Sequence, residues 1–156
     1  MRYLCFGLFL AAVAHAAPGS LAIVLNSGEE TLSVIDTQTQ RETKRYAIGK
    51  EPHHLMATPD DKFVIVANAA SNELVFLDRS TGEIANRVKN ISDPYQIGYS
   101  PDRKWFVSVS LRLDRVDIYK PDNFQIVKRL PLPKAPSHMA FSPDSKQVFV
   151  TLQDTN

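Results

Sequence analysis

The stretch "PSHMAFSPDSKQVFV" at residues 136–150 has two earlier counterparts in the chain. "PYQIGYSPDRKWFVS" occupies residues 94–108 and "PHHLMATPDDKFVIV" occupies residues 52–66, so successive copies lie 42 residues apart without a gap. Each copy opens with proline, contains Ser-Pro-Asp or Thr-Pro-Asp in its middle and closes on an apolar run. A period of this length indicates one supersecondary unit used repeatedly, because such a unit cannot bury its apolar surface alone.

The same register continues outside these stretches. "TLSVIDTQT" at residues 31–39 aligns with "ELVFLDRST" at residues 73–81, and the third counterpart is "RVDIYKPDN" at residues 115–123. In the third copy Lys120 replaces the aspartate of the other two. Agreement at so many positions in a single register is not a chance match, so the repeat covers nearly the whole chain.

Each unit is predicted to form four short antiparallel strands. β-Branched and aromatic residues dominate its apolar runs, and proline and glycine lie between these runs. No helical period is sustained after the first 16 residues. In the first full unit we expect strands at residues 54–57, 63–68, 74–77 and 83–88. Four strands in roughly 40 residues are typical of a β-propeller blade. The fold class is therefore predicted to be all-β, with propeller blades of 42 residues.

The repeat boundaries predict an incomplete ring of just over three blades. A partial blade covers residues 21–51, and full blades cover residues 52–93 and 94–135. A second partial blade covers residues 136–156, which brings the expected total to 13 strands. Because closure usually takes about 4–8 blades, we expect this chain to be the N-terminal fragment of a longer protein, with the remaining blades in C-terminal sequence.

The first 16 residues, "MRYLCFGLFLAAVAHA", are predicted to be a secretory signal peptide. Arg2 precedes an apolar run, and Ala14-His15-Ala16 follows as a small-residue cleavage pattern. The run is too short to span a bilayer stably, and no second stretch approaches that length. The mature chain, residues 17–156, is therefore expected in the periplasm or secreted, with no membrane span.

Composition excludes several classes of protein. Residues 1–16 contain one charged residue, Arg2, and the single cysteine of the chain, Cys5. The remaining residues therefore carry 17 basic and 17 acidic side chains and no cysteine. A chain without cysteine has neither disulfides nor a thiolate metal site. Zero net charge indicates no nucleic-acid partner, because such a surface normally needs a basic excess.

The residues resemble the YVTN β-propeller repeat family, within the wider group of cytochrome d1-like and WD40-like propellers. "FSPDSKQVFVTL", "TPDDKFVIVAN" and "TLSVIDTQT" match its Ser-Pro-Asp-Gly-Lys turn, its Val-rich strand and its Val-Ile-Asp segment. The resemblance spans residues 22–156 and implies a blade architecture rather than an activity. The turn glycine of the family is replaced by Asp61, Arg103 or Ser145, and the WD40 signature is absent. TolB-type blades share the Ser-Pro-Asp turn.

The candidates for ligand contact are His54, Gln96 and His138, which share one register position. The first strand of a propeller blade lines the central channel, so these side chains are expected at a similar height around it. Imidazoles there can ligate a metal ion or a haem iron, with His54 and His138 as ligands, or bind an anion when protonated. The alternative is that the position merely favours a polar residue.

The sequence points to a non-enzymatic scaffold that binds a protein or a small molecule at the channel mouth or loops. Asp60, Asp102 and Asp144 recur once per blade, which indicates turn chemistry rather than catalysis, and known catalytic signatures are missing. No catalytic residue and no cofactor is predicted. A cytochrome d1-like haem- or metal-binding redox module is one alternative, and a propeller hydrolase such as a lactonase is another, on fold analogy alone.

One charged segment, "LRLDRVDIYK" at residues 111–120, alternates in sign near a blade edge. We expect a solvated loop with salt bridges, and a partner-binding edge is the alternative.

Overall fold

A computed structural model describes residues 20–154, which form 13 strands in four antiparallel sheets. The predicted signal peptide lies outside the described residues. Blade 1 contains β1 (Leu21–Asn26), β2 (Thr31–Asp36) and β3 (Arg41–Ala47), with a short 3-10 helix at Ser27–Glu29. Blade 2 contains β4 (Pro52–Ala57), β5 (Phe63–Asn68), β6 (Glu73–Asp78) and β7 (Ile84–Lys89). Blade 3 contains β8 (Gln96–Tyr99), β9 (Phe106–Ser110), β10 (Arg115–Tyr119) and β11 (Ile126–Pro131). Blade 4 contains β12 (Pro136–Phe141) and β13 (Val148–Leu152).

The predicted fold class is confirmed. The full blades pair their four strands in chain order, and the innermost strands β4, β8 and β12 contact one another in sequence. The repeat therefore corresponds to one strand meander, placed beside the next around a shared inner edge. The total of 13 strands equals the expected number.

Three apolar cores lie between consecutive blades. Alternation along β5 sends Val66 toward blade 1, where it packs with Leu32 and Val34, and sends Ile65 toward blade 3, where it packs with Phe106. A third core joins blade 3 to blade 4. Because side chains alternate between the two faces of a strand, each central strand contributes to two cores and is buried on both sides.

The Thr-Pro-Asp and Ser-Pro-Asp segments form the turn that the sequence predicts. The Thr58 hydroxyl donates a hydrogen bond to Asp60 Oδ1 at 2.6 Å, and the Asp61 amide donates to the Thr58 carbonyl at 2.9 Å. The other two copies repeat both bonds. The Ser100 and Ser142 hydroxyls donate to Asp102 and Asp144, and the carbonyls of these two serines accept from the amides three residues later. The repeated aspartates are therefore turn residues.

The position after each of these aspartates adopts a left-handed backbone. The φ angles are +60° at Asp61, +61° at Arg103 and +62° at Ser145. This conformation explains the glycine of the family consensus, since glycine has no Cβ to clash there, whereas other residues pay a steric cost. Asp61 forms an ion pair with Arg79, and the Ser145 hydroxyl accepts a hydrogen bond from the Asp102 amide.

The charged segment at residues 111–120 differs from the expected solvated loop. Only its first four residues form a loop, because β10 begins at Arg115. Asp117 has no exposed surface, since it lies on the face of β10 that packs against blade 2. The expectation was wrong there because the alternating charges follow strand periodicity, with one face buried between blades.

No helix within residues 20–154 is long and apolar enough to cross a membrane.

The left-handed turn position predicts a stabilising substitution. Arg103→Gly should raise the free energy of unfolding by about 0.5–1 kcal/mol, because it relieves the Cβ clash at a position whose backbone is already left-handed. Within residues 20–154 the Arg103 side chain makes no ion pair or hydrogen bond that this change would remove. Denaturant midpoints measure the effect. Arg103→Ala, which keeps the Cβ, is the control, and equal stability of the two variants would contradict the explanation.

Candidate functional site

The inner strands bring three histidines and a tyrosine together. We call His53, His54, Tyr95, Gln96 and His138 the inner-strand cluster. The His53 ring lies on the Tyr95 ring, with centroids 3.7 Å apart and planes at 30°, and His53 Nδ1 is 2.9 Å from the Tyr95 carbonyl oxygen. The Tyr95 ring in turn meets His138 edge-on at 6.2 Å. This aromatic row runs across blades 2, 3 and 4.

A strand irregularity allows both histidines of blade 2 to reach this region. The pairing of β4 with β5 shifts between Pro52 and His54, so that the extra residue there has no partner in the ladder. A bulge of this kind turns a side chain away from its regular direction. His53 is consequently exposed beside Tyr95, while His54 is half-buried in the inner layer.

His54 is held in the neutral form at neutral pH. Burial lowers the pKa of its imidazole below the ordinary 6.5, and the nearby His53 and His138 lower it further when they are protonated. Its Nδ1 is buried and has no hydrogen-bond partner within the described part of the chain. His54 therefore presents one polar atom that neither solvent nor protein satisfies.

The other two candidates differ in what they offer a ligand. Gln96 Oε1 accepts a hydrogen bond from the Met139 amide, so Gln96 joins blade 3 to blade 4 through that oxygen. His138 is exposed, and its Nδ1 lies 3.3 Å from the Ser137 hydroxyl. His138 thus keeps Nε2 available, whereas the Gln96 carbonyl oxygen is already bonded.

Metal-ligating side chains are not grouped in the described part of the chain. Within residues 20–154 no three His, Cys, Asp or Glu side chains are arranged to hold an ion. A haem needs fewer protein ligands, and the exposed imidazole of His138 is more accessible to one than that of the half-buried His54. Of the two candidate imidazoles, His138 is therefore the one that an external group can reach directly.

An ion pair with a buried carboxylate, Asp93, and a partly exposed arginine, Arg112, fixes the blade 2–blade 3 junction next to the cluster. Arg112 Nη2 and Nε donate to Asp93 Oδ1 at 2.7 and 2.9 Å, and the Arg112 amide donates to Asp93 Oδ2 at 2.7 Å. Arg112 Nη1 also donates to Glu51 Oε2 at 2.6 Å. Because Glu51 lies in the loop before β4, this hydrogen bond joins that loop to blade 3. Together with His53 and Tyr95, Glu51 and Arg112 line a cleft of about 100 Å³. The ion pair therefore holds in place the two loops that position the aromatic row.

Sequence reasoning missed the aromatic row. Neither His53 nor Tyr95 is among the residues that the repeat pattern predicts as candidates. Both directly follow the proline that opens their copy of the repeat, 42 residues apart. That shared register was the available signal, but the stacking depends on the distance between neighbouring blades, which only the fold supplies.

The buried, neutral state of His54 predicts a pH dependence. Its folded pKa lies below 6.5, so the unfolded chain binds this proton more readily and stability falls as pH decreases through about 6.5. His54→Gln should flatten the plot of unfolding free energy against pH between about 7.5 and 5. An unchanged slope in this variant would contradict the assignment. The aspartates whose pKa is lowered, such as Asp60, titrate below this range.

The Asp93–Arg112 pair predicts a strong asymmetry between two acidic partners. The Asp93 side chain is 6% exposed and that of Glu51 is 52% exposed. Asp93→Asn should lower the free energy of unfolding by about 1–3 kcal/mol, because it weakens charged hydrogen bonds to a buried side chain. Glu51→Gln should cost about 0–1 kcal/mol, as is usual for an exposed pair. Denaturation of both variants gives the comparison, and equal losses would be inconsistent with it.

Solved structures with the same fold have varied functions. Hydrazine synthase from Kuenenia stuttgartiensis has a TM-score of 0.70 and 22% identity over 92% of this chain and 46% of its own. The dihydro-haem d1 dehydrogenase NirN, solved in complex with DHE, has a TM-score of 0.67 and 16% identity over 93% of this chain and 33% of its own. A candidate 6-phosphogluconolactonase from Bacteroides fragilis has a TM-score of 0.69 and 20% identity over 88% of this chain and 46% of its own. At these identities the likeness shows the fold alone.

The chain spans less than half the length of each of these three structures. No curated protein sequence matches it. A family model, described as YNCE-like beta-propeller, matches residues 5–156. This match covers nearly the whole sequence and agrees with the blades that residues 20–154 form, so the chain belongs to the YNCE-like β-propeller family.

Proposed function

We propose that this chain forms part of an exported, non-enzymatic propeller scaffold, which binds a small molecule or a protein segment at the inner-strand cluster. The unpartnered, buried Nδ1 of His54 carries the proposal. The repeated turn aspartates, by contrast, accept hydrogen bonds from the hydroxyl groups of their own turns. A buried polar atom without a partner is costly, and such atoms occur where a ligand or a water molecule completes the bonding.

The cluster favours a ligand with a flat apolar face and hydrogen-bonding edges. His53 stacks on Tyr95, and the Tyr95 ring also meets the His138 ring edge-on. Aromatic rings prefer offset or edge-to-face partners, and an imidazole adds both a donor and an acceptor. A tyrosine-like group, whether free or on a partner protein, has the matching chemistry.

A haem-binding module is the second candidate. The exposed imidazole of His138 favours it, and NirN shares the blade fold. A haem would supply redox chemistry, and this chain would contribute the His138 imidazole and the aromatic surface of Tyr95. The lactonase alternative has only the fold shared with the Bacteroides fragilis protein in its favour, so it ranks below both.

Side-chain NMR of the imidazoles separates these candidates. N-acetyltyrosine amide, added to the protein, should shift the resonances of His53, His54 and His138 with saturation. Tyr95→Ala should weaken this binding at least tenfold, because the stacking surface is lost. Lys89→Ala, in the outer strand β7, is the matched control and should bind as the unaltered protein does.

The same protein is then exposed to hemin and to δ-gluconolactone. The scaffold proposal expects neither a Soret band that depends on His138 nor lactone hydrolysis. A band that disappears in His138→Ala would overturn it in favour of the haem module, and turnover of the lactone would favour the hydrolase. Unshifted imidazole resonances with N-acetyltyrosine amide would also overturn it.

A further inference from the structure

Blade 3 carries a buried polar pair where blade 2 carries two valines. Val66 pairs with Val75 across β5 and β6, and 42 residues later Ser108 pairs with Asp117 across β9 and β10. All four side chains are completely buried, at 0% exposure. The pairs occupy equivalent places in their blades, so the polar substitution is specific to the interface between blades 2 and 3.

The carboxylate of Asp117 is satisfied on one oxygen only. Its Oδ2 lies 3.1 Å from Arg115 Nη2 and 3.6 Å from Arg129 Nε, and it accepts a hydrogen bond from the Tyr119 hydroxyl at 3.3 Å. Its Oδ1 is buried and has no hydrogen-bond partner among residues 20–154. A carboxylate oxygen left in this state opposes folding unless another group bonds to it.

Two further polar atoms on the same face of blade 3 also lack a hydrogen-bond partner among the described residues. Ser108 Oγ and Arg115 Nε are buried and have no partner within the described chain. Ser108 lies directly opposite Asp117 on the neighbouring strand, and Arg115 is two residues from Asp117 on the same side of β10. Opposite residues in an antiparallel pair have Cβ atoms about 4.5–5.5 Å apart, so the three atoms converge on one small volume.

No hydrogen bond from blade 2 reaches these atoms within the described part of the chain. The buried apolar residues that blade 2 contributes to the core facing them include Ile65, Ala67 and Leu74. A further group is therefore needed to bond to all three atoms. One of them is a donor (Arg115 Nε), one is an acceptor (Asp117 Oδ1) and one is a hydroxyl that can do either.

We propose that Ser108, Arg115 and Asp117 form the binding site of a single internal water molecule at the blade 2–blade 3 interface. The water accepts from Arg115 Nε, donates to Asp117 Oδ1 and exchanges a hydrogen bond with Ser108 Oγ. A cation would be repelled by Arg115 and an anion by Asp117, whereas a neutral molecule that donates and accepts suits both. Buried waters typically make about three such bonds to otherwise unsatisfied groups.

The test counts long-lived internal waters by oxygen-17 relaxation dispersion. The Ser108→Val/Asp117→Val double variant reproduces the pair of blade 2 and should lose one long-lived water relative to the unaltered protein. Val66→Ser, at the equivalent place in blade 2, is the matched control and should not lose one. An equal number of waters in the double variant and the unaltered protein would overturn the proposal.

A second measurement on the unaltered protein covers the case in which the double variant does not fold. A high-resolution crystal structure should show a single density peak within hydrogen-bond distance of Ser108 Oγ, Arg115 Nε and Asp117 Oδ1. A direct bond between these side chains without such a peak would overturn the proposal. Anomalous scattering from an ion at the position, such as chloride, would overturn it as well.

Discussion

Burial of two apolar faces on every blade is the constraint on which the structure depends. A central strand such as β5 is apolar on both sides, because Val66 packs toward blade 1 and Ile65 toward blade 3. Burying such surface is the main favourable term in folding, at about 25 cal/mol per Å². No blade can hide both faces alone, so each is stable only between neighbours, and this dependence explains the strict repetition of the sequence.

Polar ties at the blade junctions add specificity to this apolar packing. Between blades 1 and 2, Asn68 and Arg87 both donate to the Ile48 carbonyl, at 2.8 and 2.9 Å, and Arg87 also pairs with Glu73. Between blades 2 and 3, the tie is the Asp93–Arg112 pair. Apolar packing is non-directional, whereas these hydrogen bonds and ion pairs require particular partners at each junction. They also fix the loops that surround the inner-strand cluster.

The candidate site draws its properties from the same geometry. Polar residues at the starts of the inner strands lie at the narrow edge of the blades, where neighbouring backbones are close enough for His53 to stack on Tyr95. Burial there keeps His54 neutral and leaves its Nδ1 without a partner. The properties of the inner-strand cluster therefore depend on contacts between neighbouring blades, and no single repeat produces them.

The sequence by itself determined the strands, their order and the turns. The 42-residue register, the proline positions and the Ser/Thr-Pro-Asp segments act through local backbone preferences, which the tertiary structure does not alter. The left-handed backbone at Arg103 was not predicted, because the sequence has arginine where the family has glycine. The local signals also predicted that Asp60 and its counterparts serve the turns.

Only the tertiary structure decided which polar residues meet. Gln96 and His138 share a register position, yet the first bonds the Met139 amide of the next blade while the second remains exposed. Asp117 reads as a surface charge in the sequence and is completely buried in the fold. The physical reason is that these outcomes depend on distances between blades, whereas a repeat pattern encodes only the interactions within a blade.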